Sequence, residues 1–220
     1  MDDDIPKHRL DDTTGDPIVD GFLPSLRPLV EAASRAPECR LAPGFFREHV
    51  LVVERFARRL APLFGADLAV VVPAAILHDI AALEDFSRVA EHHELGAVRA
   101  AGILRAHGLD EGRIGRIASC IRAHVRPVPP EGRPEEACLS HADALAQMAN
   151  PSYWLDYART TRGLAFPGGR DWYAGMVADR WEALSENVKD VARPHYLRAV
   201  GACMDDLGEL PVETEDAPCS

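Results

Sequence analysis

A chain of 220 residues with 47% apolar residues is long enough to enclose one sizeable hydrophobic core, and one domain is expected. It contains no apolar run of about eighteen residues, the length of a membrane-spanning helix, and its acidic N-terminus is unlike a signal peptide, so we expect a cytoplasmic protein. The net charge of −11 comes from the two ends, since residues 1–20 carry −5 and residues 205–220 carry −6. The body is therefore neutral and offers no basic stripe, which argues against nucleic-acid binding.

The two ends lack apolar periodicity, and residues 1–20 and 208–220 are predicted to be disordered acidic tails around a helical domain at residues 21–207. In chain order, a short leading helix is predicted over residues 21–38. A stronger helical pattern follows over residues 45–64. His49 lies one turn before the apolar Val53, so we expect it to face inward.

The next helix carries Pro73 in its first turn and leads to the dipeptide His78-Asp79 two turns later. Residues 84–90 are polar and are predicted to form a loop. A helix then runs from about Glu91 to His107, in which His93 shares a face with Ala97 whereas His92 looks outward.

Two further helices carry polar residues on apolar faces: one from residue 111 to about 125 leads to His124, and one starting near Pro134 carries Asp143. One or two helical turns are predicted near residues 153–159 and a loop at residues 167–169. A long final helix over about residues 171–207 is expected to bend or break at Pro194. Because no alternating stretch is long enough for a strand pair, the sequence predicts an all-α domain.

Six metal-competent side chains lie on the predicted inward faces: His49, His78, Asp79, His93, His124 and Asp143. Buried without partners, polar groups of this kind cost several kcal/mol each. A lone inward histidine is more often a satisfied core residue than a ligand, but six agreeing positions favour a metal centre. Adjacent helical residues point about 100° apart, so the two members of the dyad can meet one ion only at a helix end or kink.

The ligand types indicate which metals fit. His49, His78, Asp79 and Asp143 form a mixed nitrogen and oxygen set that suits Fe, Mn, Co, Ni or Zn better than Mg or Ca. If Asp79 bridges through its second oxygen, His93 and His124 can hold a second ion. Two ions clamp the attacking and leaving oxygens of a displacement at phosphorus and lower the pKa of a shared water. The predicted cofactor is thus one or two divalent transition-metal ions.

The order His49, His78-Asp79, Asp143 resembles the H…HD…D pattern of the HD-domain superfamily of metal-dependent phosphohydrolases. The local strings Ala-Ala-Ile-Leu-His-Asp-Ile at 74–80 and His-Ala-Asp-Ala-Leu at 141–145 are similar to those of small bacterial HD hydrolases. The resemblance covers about residues 45–160. It implies a helical bundle with the site at its centre, and the additional histidines resemble those of members that hold two metals.

The sequence also departs from relatives within that superfamily. HD 5′-deoxynucleotidases and guanosine tetraphosphate hydrolases place a catalytic acid shortly after the dyad, where this chain has Ala81 and Ala82, with Glu84 and Asp85 slightly later. Without that acid, a metal-bound hydroxide beside Asp79 would act with less assistance, or another group such as His141 would take the place of the acid. A solvated helix residue is an equal alternative for His141.

Phosphate recognition needs cationic donors near the metals. Arg126, just after His124, is the first choice, with Arg122 and Arg88 as further candidates. A surface position without a functional role is the alternative for each of these arginines.

Three functions are open. The first is hydrolysis of a small phosphate ester, a nucleotide or other phosphometabolite, by a metal-bound hydroxide. The second follows from a resemblance to the mixed-valent di-iron oxygenases of the superfamily, which act on a small polyol or phosphonate; those have a longer insertion before the last Asp, whereas 18 residues separate His124 from Asp143 here, which favours hydrolysis. The third is a non-catalytic metal-binding regulatory module. We expect a small-molecule partner, no nucleic acid and no membrane, and a homodimer is left open.

Overall fold

The computed structural model describes residues 13–126 and 132–204. Every regular element within those ranges is helical, which confirms the predicted all-α fold. A single π-helical turn, Phe46–Val50, precedes α2, and a 3₁₀ turn, Phe86–Glu91, precedes α5. The α-helices are α1 Pro17–Ser34, α2 Leu51–Phe64, α3 Leu68–Leu77, α4 Ile80–Glu84, α5 His92–Ala106, α6 Glu111–Ala123, α7 Pro134–Ala149, α8 Pro151–Thr160, α9 Phe166–Ala183 and α10 Glu186–Met204.

Helix α3 lies in the middle of the bundle. All of its residues from Ala69 to Leu77 are buried, and it contacts α1, α2, α6 and α7. An apolar sequence on every face suits only a helix that is surrounded by others. Its start is fixed by Asp67, whose carboxylate accepts a hydrogen bond from the Ala69 backbone N–H at 2.9 Å. The C-terminal end of α3 therefore places His78 and Asp79 in the interior of the bundle.

The first helix begins earlier than predicted. Asp16 caps it by accepting hydrogen bonds from the backbone N–H groups of Ile18 and Val19, and Pro17 occupies its first turn. The helix ends at Ser34 rather than at residue 38, and it overlaps the end of the segment predicted as an acidic tail. Residues 1–12 and 205–220, with the predicted tail at 208–220, lie outside the described residues.

The prediction of one long final helix over about residues 171–207 is wrong, and there is no break at Pro194. Helix α10 continues through Pro194, and the chain breaks earlier, where Leu184 is extended with ψ of 139°. The backbone N–H of Ser185 donates to Nε2 of His141 on α7 at 3.1 Å. His141, on a helix distant in sequence, therefore accepts the hydrogen bond that the Ser185 N–H would donate to a backbone carbonyl in a continuous helix.

The region predicted as a loop at residues 167–169 forms the first turn of α9, where proline is tolerated. Within the described part of the chain, no helix combines the length and the apolar character that crossing a membrane requires.

Candidate metal centre

Six side chains from five helical segments converge at the core end of α3, and we call them the His/Asp cluster: His49, His78, Asp79, His92, His124 and Asp143. His49 lies in the π-helical turn, a local distortion that is frequent at functional sites. His78 follows the last residue of α3, and Asp79 has φ −105° and ψ 10°, outside the helical range. The helix thus breaks at the dyad, and this break lets both side chains face the same point.

The two carboxylate oxygens of Asp79 face different sets of imidazoles. Oδ2 lies 3.1 Å from Nε2 of His78 and 3.4 Å from Nε2 of His49. Oδ1 lies 3.3 Å from Nε2 of His92 and 3.8 Å from Nε2 of His124. Asp143 joins the first set, with its Oδ1 3.2 Å from Nε2 of His49. Asp79 therefore stands between two groups of potential ligand atoms.

The spacing within each group fits a shared ion. The Nε2 atoms of His49 and His78 are 3.2 Å apart, and so are those of His92 and His124. Ligand atoms that each lie about 2.1 Å from one ion are separated by about 3.0 to 3.4 Å. Two such groups, joined by one carboxylate, match the requirements of a pair of neighbouring metal ions.

Ring tautomers support the same interpretation. Nδ1 of His78 donates to the Ala75 carbonyl at 2.8 Å, and Nδ1 of His124 donates to the Ile121 carbonyl at 2.6 Å. His92 does the same with the carbonyl of Val89 at 2.6 Å. A carbonyl can only accept, so each Nδ1 carries the proton and the neutral ring presents a lone pair at Nε2. Hydrogen bonds of this kind, from the ring nitrogen that does not face the ion, orient metal-binding histidines and fix their tautomer.

The prediction that His93 faces the cluster and His92 faces outward is wrong. His92 is the first residue of α5 and contacts both Asp79 and His124, whereas His93 stays outside both ligand groups. The buried face of α5 includes Gly96 as well as Ala97, so a residue one turn before either can face inward. Helical spacing alone does not distinguish the two histidines, since His93 lies one turn before Ala97 and His92 one turn before Gly96.

The pKa values of the cluster are shifted by burial and by close contact between its imidazoles and carboxylates. Burial opposes a charge on His49, but hydrogen bonds with Asp143 and Asp79 outweigh it and raise the pKa of His49 to about 9. Burial lowers the pKa of His124 to about 4, and the proximity of the His78 ring contributes in the same direction. Although burial opposes it, the facing imidazoles hold the pKa of Asp143 well below its usual range. Both carboxylates are therefore ionised at neutral pH, as metal ligands must be.

A cavity of about 150 Å³ opens onto the cluster. Its other walls combine apolar and aromatic side chains with two polar ones: Leu41, Phe45, Ala82, Val89, Val125, Gln147, Trp154, Tyr157 and Arg180. The ring of Phe45 lies 4.8 Å from that of His49, centroid to centroid, and the ring of Trp154 lies 5.3 Å away. Because ligand pockets commonly measure about 300–1,000 Å³, this cavity suits a small molecule or one end of a larger one.

The other residues proposed for catalysis lie outside the cluster, although His141 lines a small pocket that borders His124 and Asp143. Both ring nitrogens of His141 are engaged, since Nδ1 donates to the Ala137 carbonyl at 2.7 Å and Nε2 accepts from Ser185. The side chain of Glu84 pairs with the exposed Arg99, and that of Asp85 bonds to Ser87. The structure therefore places none of His141, Glu84 and Asp85 within the cluster.

Among the arginines proposed for phosphate binding, Arg126 lies beside His124 and lines a small pocket that borders Asp143. Arg122 and Arg88 instead pair with exposed glutamates, Glu94 and Glu91. Arg126 is thus the member of that set that reaches the site.

Two residues at the site were missed by the sequence analysis. Gln147 donates through Nε2 to both oxygens of Asp143, at 3.0 and 3.2 Å. Arg180 donates through Nε to Oε1 of Gln147 at 2.6 Å. Gln147 is one turn after Asp143 on the same face of α7, a signal that was available in the sequence. Nothing in the local sequence of α9 indicates that Arg180 reaches the site.

Comparison with known proteins identifies the segment that carries the cluster. The sequence model of the HD domain matches residues 46–148. These residues are thus similar to the HD domain, and the matched segment is called the HD domain below. The match confirms the resemblance drawn from the sequence, and the HD domain includes every member of the His/Asp cluster as well as Gln147. Helices α8 to α10, with Arg180, lie beyond it.

A solved structure shares the fold. It is the crystal structure of a predicted HD superfamily hydrolase from an uncultured Thermotogales bacterium, which aligns over 82% of this chain and 88% of its own, with 22% identity and a TM-score of 0.57. Likeness at that identity establishes the fold alone. No curated protein matches the chain.

Proposed function

We propose that this chain is an HD-domain hydrolase that cleaves a small phosphate ester at a centre of two divalent transition-metal ions. The observation that carries the proposal is the division of the two Asp79 oxygens between two groups of imidazole nitrogens. Two ions, when bound there, would polarise a phosphoryl oxygen and lower the pKa of a water. The ligand set of four imidazoles and two carboxylates suits Fe, Mn, Co, Ni or Zn.

The chain's own residues supply the remaining requirements. His49, His78, Asp143 and one oxygen of Asp79 would bind the first ion, and His92 and His124 would bind the second with the other oxygen. Phe45 and Trp154 pack against the His49 ring and limit the entry of water on that side. Arg180 lines the cavity and Arg126 lines the small pocket beside it, and their positive charge favours an anionic substrate.

Metal content tests the centre directly. We expect full-length protein purified without chelator or added metal to contain about two ions, as measured by inductively coupled plasma mass spectrometry. Asp79→Ala removes the group shared by both sites, and we expect it to lose most of the metal. His92→Ala should retain about one ion.

The neighbouring residue provides a matched control for the metal analysis. His93→Ala removes the same side chain from the adjacent position, outside both ligand groups, and should keep both ions. Equal metal loss in the two histidine variants, or full content in Asp79→Ala, would refute the proposed centre.

A panel of nucleotides and sugar phosphates, assayed for phosphate release with Mn²⁺ or Co²⁺, tests the reaction. We expect release from at least one small ester and its loss in Asp79→Ala. The six-ligand set also favours one competing function, that of a mixed-valent di-iron oxygenase. Two bound irons together with oxygen uptake on a small polyol or phosphonate would replace the hydrolase proposal. Metal binding without either activity would indicate a regulatory module.

A further inference from the structure

Helix α9 reaches the metal centre from outside the HD domain. The hydroxyl of the buried Tyr173 donates to the backbone carbonyl of Gln147 at 3.1 Å and holds α9 against the end of α7. Two turns later on α9, Arg180 lines the cavity that opens onto the His/Asp cluster, and it also lines the small pocket beside Arg126. Its position is therefore fixed by packing of α9 onto α7.

Arg180 is linked to the cluster through one amide. Its Nε–H can only donate, so the Gln147 atom 2.6 Å away is the carbonyl oxygen Oε1, and the amide nitrogen must face Asp143. Gln147 and Asp143 are both buried, so the orientation of the amide is determined by its two partners. Arg180, Gln147 and Asp143 thus form a continuous chain of hydrogen bonds from the cavity to a ligand of the first metal group.

The rest of the guanidinium remains available. Its single hydrogen bond within the described residues uses Nε, and no carboxylate there lies within ion-pair distance of it. The two terminal nitrogens carry four further N–H donors in a planar fork that matches two oxygens of a phosphoryl group. Arg180 is half-buried beside a cavity and has no carboxylate partner in residues 13–126 and 132–204, so its guanidinium is a candidate site for an anion.

We infer that Arg180 binds phosphoryl oxygens of the substrate beside the metal centre. Gln147 is then a positioning residue, because its amide bonds to both Asp143 and Arg180 and fixes the Arg180 guanidinium relative to Asp143. The inference rests on the proposed hydrolase function. It assigns substrate recognition to a helix outside the HD domain.

Binding of inorganic phosphate to the Mn²⁺-loaded full-length protein, measured by calorimetry, tests this inference. We expect Arg180→Gln to weaken phosphate binding by about tenfold or more with unchanged metal content, because it removes charge-assisted hydrogen bonds to the anion. Arg180→Lys keeps the charge but loses the fork, and we expect it to bind phosphate with intermediate affinity. It also serves as the second variant if Arg180→Gln does not fold.

A near-isosteric change tests the positioning role. Gln147→Met removes both hydrogen bonds of the amide while filling similar space, and we expect weaker phosphate binding with two ions retained. Arg159 on α8 is exposed and pairs with Asp156, so Arg159→Gln is the matched control and should bind phosphate like the unmodified protein.

The outcomes separate the two proposals. Unchanged phosphate affinity in Arg180→Gln, or two bound ions without phosphate binding in the unmodified protein, overturns the inference and leaves the metal centre standing. Absence of metal from the unmodified protein overturns the proposed function first, and the inference with it.

Discussion

At the scale of single residues, Gly96 explains why His92 reaches the cluster. A Cβ atom at this position would lie 3.2 Å from the backbone carbonyl oxygen of His78 and 3.5 Å from Cγ2 of Ile121. Helix α5 therefore approaches the end of α3 as closely as a glycine permits. His92, one turn earlier on the same face, is carried to Asp79 by that approach.

We expect Gly96→Val to force α5 away from the dyad and to destabilise the fold by about 1–3 kcal/mol, a typical cost of overpacking. Displacement of His92 should also lower metal content toward one ion. Thermal unfolding and metal analysis measure the two effects. Gly102→Val, on the same helix with no atom within 4 Å of the added Cβ, should change stability by only about 0.5 kcal/mol. A Gly96→Val protein with normal stability and two ions would contradict the role given to this glycine.

At the scale of elements, the sequence predicted most helices but not how they join. Apolar periodicity located α2, α5, α6 and α7, because each has one buried face. It did not locate the break between α9 and α10, since Leu184 and Ser185 have no breaking residue beside them. That break depends on His141, which lies 44 positions away from Ser185 in the chain. A tertiary contact of this kind leaves no local pattern.

The same contact predicts a structural role for His141. We expect His141→Ala to lower stability by about 1–3 kcal/mol, because the Ser185 backbone N–H loses its acceptor in a partly buried position. Metal content should stay at two ions, and turnover should change by less than about threefold. Chemical denaturation and steady-state kinetics test these expectations. A large loss of turnover with unchanged stability would instead make His141 an acid or base.

At the scale of the whole molecule, the His/Asp cluster connects parts of the chain that are distant in sequence. Its members come from the π-helical turn, the junction of α3 and α4, and helices α5 to α7. Since the two carboxylates and four imidazoles converge only in the folded chain, any ion bound there stabilises the folded state over the unfolded one. Metal and stability are therefore expected to be linked.

Removal of the metal should lower the melting temperature. At a free-ion concentration about 1,000 times Kd, binding contributes about 4 kcal/mol, which for a chain of this size corresponds to a shift of roughly 10 °C. Differential scanning fluorimetry before and after dialysis against a chelator measures the change, and added Mn²⁺ or Fe²⁺ should reverse it. The Asp79→Ala variant should show no response to chelator. A melting temperature that is the same with and without chelator in the unmodified protein would exclude a tight metal site.

The all-α fold and the HD resemblance were available from the sequence, because both depend on patterns that are local or ordered along the chain. The choice of His92 over His93 depends on how closely two helices approach, and the participation of Arg180 depends on the packing of α9 onto α7. Neither the approach of the helices nor their packing can be predicted from the spacing of residues along the chain. The ordered ligands were thus easier to find than the groups that surround them.

The hydrogen-bonded path from Arg180 through Gln147 crosses the end of the HD domain at residue 148. The segment that would hold the ions and the helix that would select the compound therefore occupy successive stretches of the chain. A substitution in the later stretch would therefore be expected to change which compound binds while leaving the ion-binding residues in place.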